Sequence, residues 1–276
     1  MTETTAKTHP DEPDRPAGSR RSHAPGDMTA VATVALDRPW MWLAAGARDI
    51  MRAPIPSLAY GFAITVLSFA ITAGVVIAGQ VHWMLPLLCG FLLVGPIVAV
   101  GLYDISRRLE AGETPTVAAS FQAWRINAMQ LGLMGAYIGI FFLFWFRIAT
   151  LLFALFFGDY PFGIEELVGQ LTTLDGLAFL ATGTAVGAVL AVVIYATSVV
   201  SIPMLLDRNV SVVEAILASL TAFTRNPATL LVWAATITAL AIAGIATAYV
   251  GLAVIMPLLG HASWHAYRDL IRDVHD

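Results

Sequence analysis

Beyond Arg52 the chain alternates long apolar runs with short polar gaps, and its basic residues occupy only every second gap. Arg107, Arg108 and Arg125 fill one, Arg208 and Arg225 another, and Arg268 and Arg272 follow the last run. The gaps between them hold no Lys or Arg. Basic side chains resist translocation, so this alternation predicts a helical chain that crosses a membrane several times with its arginines on one side. Composition agrees: 58% of residues are hydrophobic and only 12% are charged, against about 25% charged in a soluble domain.

A helix needs about 20 apolar residues to cross about 30 Å of hydrocarbon. Six such spans can be placed, over about 57–78, 84–103, 128–147, 177–206, 228–247 and 250–267, the last pair dividing at a tight turn near 249–251. Six spans put both termini on the cytoplasmic side. The gap 158–176, which carries Asp159, Glu165, Glu166 and Asp175 without a basic residue, then lies outside. Five spans would place Arg268 and Arg272 outside, against the charge rule. Trp40, Trp42, Tyr103, Trp124, Trp264 and Tyr267 fall at the expected inner border, and Trp83, Trp145, Tyr160 and Tyr249 at the outer one, where amphipathic rings prefer to sit. Residues 1–36 are rich in Pro, Thr, Asp and Arg and read as a disordered cytoplasmic tail, with no apolar core for a cleavable signal peptide.

A unit recurs three times. Amphipathic segments around Trp40–Met51, Val117–Trp124 and Val213–Phe223 each precede a pair of spans. Asp37, Thr114-Pro115 and the capping box Ser211-Val-Val-Glu214 supply start signals. Pro96, Pro203 and Pro257 mark the second span of each pair, where proline bends a helix and frees a carbonyl. The expected fold is all-α: a polytopic bundle of three hairpins, each preceded by an interfacial helix. Gly135-xxx-Gly139 and Gly183-xxx-Gly187 offer close-approach faces, compatible with a homo-oligomer or with other membrane-protein partners.

Few residues suggest chemistry. Arg147 sits among apolar neighbours near the expected outer border. It reads as a snorkelling cation paired with Asp159, Glu165 or Glu166, with an anion site as the functional alternative; the segment 148–157 then either lies along the interface or extends a tilted helix. His261 and His265 share one helix face. Counted from the prolines, Asp207 matches His261 and Asp104 matches His265, so two carboxylates and two imidazoles could meet at the inner mouth and hold a metal or relay protons. The alternative is that Asp104 and Asp207 pair with nearby arginines. The single cysteine, Cys89, excludes an intramolecular disulfide and any multi-cysteine site. No Walker A, GxSxG or CxxCH motif is present, and no basic patch with interleaved aromatics suggests nucleic acid.

The segments LLVGP (92–96), GLYDISRRLE (101–110), SVVSIP (198–203), LLDR (205–208) and PLLGHASWHAYRDL (257–270) resemble an uncharacterised family of bacterial integral membrane proteins known only by a domain-of-unknown-function label. The resemblance runs from about 39 to 270, and it implies a bacterial inner-membrane protein without an assigned activity or catalytic residue. Some members carry the label of cytochrome c oxidase subunit I. Three readings follow: a non-enzymatic transporter- or channel-like bundle, a structural or assembly subunit of a larger membrane complex, and, behind both, a metal- or haem-binding protein using His261 and His265. No cofactor is expected under the first two.

Overall fold

The computed structural model describes residues 30–158 and 164–272. Almost all of them are helical: α1 (Arg38–Arg52), α2 (Pro54–Ile77), α3 (Met84–Val98), α4 (Val100–Glu110), α5 (Val117–Gln122), α6 (Ala128–Phe157), α7 (Ile164–Leu171), α8 (Leu174–Ser198), α9 (Ser201–Asp207), α10 (Val212–Arg225), α11 (Pro227–Ala246) and α12 (Leu252–Leu270). Two short strands, β1 (Ala30–Val31) and β2 (Ile271–Arg272), pair antiparallel. Residues 30–36 of the expected tail pack on the helices. From Ala30 the chain is fastened to the last helix, and Asn226 holds it further by accepting from the Val34 amide at 2.8 Å and donating to the Ala32 carbonyl at 2.9 Å. Residues 1–29 lie outside the described residues.

Among the described residues, five helical stretches are long and apolar enough to cross a membrane: Pro54–Ile77, Val81–Glu110, Val117–Phe157, Leu174–Asp207 and Pro227–Ala246. The segment 148–157 extends α6, whose 30 residues make a rod of about 45 Å, so it tilts or protrudes from a hydrocarbon layer of ordinary thickness. The final apolar stretch divides between α11 and α12. Ala248 and Tyr249 make that turn with φ of 51° and 67°, a left-handed conformation that costs about 1–2 kcal/mol per non-glycine residue. Two hydroxyls of α2 hold it: Thr72 bonds the Tyr249 hydroxyl at 2.8 Å and Thr65 donates to the Tyr249 carbonyl at 3.2 Å. Helix α12 is less apolar than the other long helices because its second half is rich in polar residues, yet most of it is buried. Helices α1, α2, α4 and α11 surround it.

Two of the proline-bearing helices are interrupted. The first breaks at Ala99, between α3 and α4, three residues after Pro96. The second breaks at Val199–Val200, between α8 and α9, just ahead of Pro203. Neighbouring hydroxyls occupy backbone groups at both breaks. Tyr60 of α2 donates to the Val98 carbonyl at 2.8 Å. Ser219 of α10 donates to the Ala196 carbonyl at 2.8 Å and accepts from the Val200 amide at 3.2 Å. Such pairing is what permits a broken helix where water is scarce. The third proline helix, α12, stays continuous through Pro257.

The three amphipathic helices pack in a cyclic order. Helix α5 lies on α2 and α4, α10 on α8 and α9, and α1 on α12. Each turns small residues inward, such as Gly46, Ser120, Ala215, Ser219 and Ala222, and exposes large apolar ones, such as Trp40, Met51, Phe121, Val213 and Leu217. Ser211 and Glu214 form the expected capping box, whereas Thr116, not Thr114, caps α5. The expected inner belt is only partly interfacial. Trp40 and Trp124 are exposed, but Trp42, Tyr103, Trp264 and Tyr267 are buried; Trp145, expected in the outer belt, is buried too and donates to the Pro86 carbonyl at 2.9 Å.

The expected glycine pairs are used only in part: Gly187 of α8 packs against the Trp145 ring of α6, and the closest backbone approaches fall elsewhere. A methyl group added at Gly139 or Gly183 would find nothing within 4 Å, while one at Gly61 would meet the Ala253 carbonyl and the Pro257 ring. Replacing Gly61 with Ala should force α2 from α12 and cost about 1–3 kcal/mol, lowering the thermal unfolding midpoint of detergent-purified protein. The same change at Gly74, which faces open space, should leave the midpoint unchanged.

Candidate functional site

Two constellations involve α12, one on each side of it. The first is a chain of hydrogen bonds at the arginine-bearing end of the bundle. His265 Nε2 bonds Asp49 Oδ2 of α1 at 2.8 Å. Ser106 of α4 donates to the same oxygen at 2.7 Å, and its Oγ lies 2.8 Å from His261 Nδ1. His261 Nε2 in turn lies 2.9 Å from Ser57 Oγ of α2. Proton counting fixes the roles. An ionised Asp49 only accepts, and Ser106 has one hydrogen to give. Ser106 Oγ must then accept from His261 Nδ1–H, which leaves His261 Nε2 to accept from the Ser57 hydroxyl in the neutral tautomer. Burial by itself raises the Asp49 carboxyl, but the hydrogen bonds from His265 and Ser106 and the nearby imidazoles outweigh it and hold the group below its ordinary value.

His261 and His265 thus meet through Asp49 and Ser106 rather than through Asp104 and Asp207. Asp104, fully buried, accepts from Arg107 and Arg108 of its own helix, each at 2.7 Å. Asp207 accepts from the Tyr267 hydroxyl at 2.8 Å, and that hydroxyl accepts from Arg208 Nε at 3.0 Å. Arg268 lies 3.7 Å from Asp207 and 2.9 Å from Glu110. Among the described residues no group of three or more His, Cys, Asp and Glu side chains is gathered as a metal site would require. Asp49 carries no sequence signal of its own; its isolated position on the inner face of an amphipathic helix is the one clue available.

The second constellation is a cavity of about 100 Å³ where the three proline-bearing helices converge. Pro96 and Ala99 line it from the first, Tyr195 and Val199 from the second, and Gly260 and Ser263 from α12. The break residues Ala99 and Val199 are therefore part of its wall. Pro96 and Pro203 deprive the carbonyls of Leu92 and Val199 of their usual helical donors, and both residues line the cavity. Its polar groups gather toward the arginine end: Tyr103, Tyr195, Ser198 and Ser263. The opposite end, with Phe91, Ile237 and Met256, is apolar. The Tyr195 and Ser198 hydroxyls are buried and have no hydrogen-bond partner among the described residues. An unpaired buried hydroxyl costs about 1–3 kcal/mol, so these two groups mark a place where something else must supply the bonds.

Arg147 lies on neither constellation. It is exposed and lines an open cleft at the far end with Gln80, His82 and Trp83. Among the described residues it forms no ion pair; of its three expected partners, Asp159 lies outside the described residues.

Long apolar helices, polar groups paired within the protein and apolar side chains turned outward define an integral membrane protein. Residues 84–207, the stretch from α3 to α9, match the model of a family described as predicted integral membrane protein (DUF2189), which bears out the family resemblance of the sequence. No curated protein and no solved structure matches the chain.

The Asp49 network yields a measurable expectation. Because folding lowers the Asp49 pKa, its carboxylate adds stability above the unfolded value of about 3.9 and loses it as pH falls through the folded value. Asp49→Asn should cost about 1–3 kcal/mol at neutral pH, seen as a lower unfolding midpoint in detergent. The variant should also lose part of the wild-type decline in stability on acidification.

Proposed function

We propose that this protein is a bacterial inner-membrane carrier, a non-enzymatic bundle of six spans arranged as three hairpins, with both termini cytoplasmic. The sixth span is α12. Its polar residues do not argue against insertion, since His261, Trp264, His265, Tyr267 and Arg268 all bond within the protein. A span enclosed by other helices need not be apolar all round. The cyclic packing of α1, α5 and α10 on the proline helix of the preceding unit supports reading the chain as three copies of one device.

The observation that carries the reading is the cavity at the helix breaks. Transporter sites sit where membrane helices are interrupted, at the interface between repeats. Here Ala99 and Val199 break two repeat-related helices against the same cavity, and Pro257 with Gly260 weakens the third. A scaffold subunit would gain nothing from aligning its weak points around a void. A carrier needs hinges there, because small rotations about them change which end of the cavity is open.

Thiol accessibility tests both parts. In a Cys89→Ser background, an impermeant reagent applied to intact cells should label Glu166→Cys and spare Glu113→Cys; the reverse would discard the orientation. Ser263→Cys should react with water-soluble thiol reagents applied from either side of sealed membranes, in a temperature-dependent way. A cysteine there that reacts only after denaturation would favour the structural or assembly-subunit reading.

A further inference from the structure

The ligand class of the central cavity can be read from its walls; the step rests on the carrier reading above. We infer that the cavity receives the head of an uncharged single-chain lipid bearing a hydroxyl or carbonyl group, with its chain in the adjoining cleft.

The recognition group is a pair of hydroxyls. Tyr195 and Ser198 are three residues apart on α8 and so share a face. Both hydroxyls are buried, both lack a partner among the described residues, and both residues line the cavity. One carbonyl oxygen can accept from the two together. One hydroxyl can accept from the first and donate to the second. No charged side chain lines the cavity among the described residues. A carboxylate or ammonium head would therefore be buried without a counter-charge, which disfavours ionised fatty acids and amines.

Water accounts for only one end. The hydroxyl cluster and the freed carbonyls offer the two to four polar partners a buried water needs, but beyond them the walls are Phe91, Ile194, Ile237, Met256 and their apolar neighbours. A molecule with one polar atom and an apolar body satisfies both ends. The volume sets the head size: about 100 Å³ here, against an engineered apolar cavity of about 150 Å³ that binds benzene. The chain has somewhere to go. A second cavity of about 170 Å³, lined by Thr72, Leu88, Phe142 and Tyr249, shares Phe91 as a wall with the first and again holds no charged residue. It lies between α2, α3 and α6, and Ile71 and Phe69 of α2 are exposed on that helix, so a lipid can reach it sideways from the bilayer.

The test uses full-length protein in nanodiscs and a hexadecanol bearing a chain diazirine. Photolabelling should map to peptides of α2, α3 or α6, whose residues line the second cavity. Unlabelled hexadecanol should compete, and hexadecane and hexadecanoate should compete much less. Ser198→Ala and Tyr195→Phe should each weaken competition by hexadecanol about tenfold. Neither should lower the unfolding midpoint of the lipid-free protein, because each removes an unpartnered hydroxyl; this separates lost recognition from lost folding. Equal competition by hexadecane or hexadecanoate, or undiminished binding in both variants, overturns the inference. Two-sided access at Ser263→Cys without hexadecanol binding would leave the carrier reading standing and remove only this ligand class.

Discussion

Everything in the bundle is organised around a helix that could not stand in lipid alone. The second half of α12 reads GHASWHAYRDL, and nearly every polar side chain in it is fastened to another element. His261 reaches Ser57 and Ser106, Trp264 and Arg268 reach Glu110, His265 reaches Asp49, Tyr267 reaches Asp207, and Asp269 binds Arg38 through two bonds of 2.6 and 2.7 Å and the Trp42 indole at 3.0 Å. Even the backbone is used, since the Leu270 carbonyl accepts from Ala32 at 2.8 Å. In a low-dielectric setting an unpaired polar group is costly and a paired one is directional. The same residues that lower the helix's apolarity thus fix where α1, α2, α4 and α9 must lie around it.

That arrangement divides the bundle into a tight end and a loose one. Leu102, Ile105, Ile202, Leu205, Trp264 and Tyr267 are wholly or almost wholly buried near the arginines. Farther from the arginines lie the two cavities, walled mainly by apolar side chains. Rigid fastening at one end with breaks at Ala99 and Val199 just beyond it is the mechanical layout of a lever with a fixed base. The breaks adjoin the hydrogen-bonded hub, and Tyr60 and Ser219 pair with backbone groups at them.

Much of this is legible in the sequence, and the part that is not has a physical cause. Helix length, apolarity, prolines and the Ser211–Glu214 capping box are local, so the spans and the third amphipathic helix can be placed directly. The metal-like cluster rests on register: equal spacing from the prolines puts Asp104 beside His265 and Asp207 beside His261. Register ignores what lies on the same helix face. Arg107 and Arg108 stand three and four residues from Asp104, near enough to claim both its oxygens. The partner His265 does find, Asp49, is 216 residues away on an element whose face toward α12 only packing defines. The tryptophans depart from expectation for the same reason, since a ring that sits at a border in one dimension, such as Trp264, can be enclosed by helices that the sequence does not locate. Of the glycine pairs in α6 and α8 only Gly187 makes a tight contact, with Trp145, while the closest backbone crossings fall at Gly46 and Gly61, which match no motif.

Under the three-hairpin arrangement proposed above, the position of the cavity follows from the packing. In each unit the amphipathic helix leans on the proline helix of the unit before it, and α1 completes the circle by leaning on α12. Three proline helices directed inward by such a ring must converge, and the bend each proline imposes keeps their backbones from closing fully on one another. A void at the convergence is then a consequence of the repeat. What the individual units add is chemistry: the second contributes Tyr195 and Ser198, the third Ser263, and the first Tyr103, so that a symmetric scaffold carries an asymmetric set of hydroxyls.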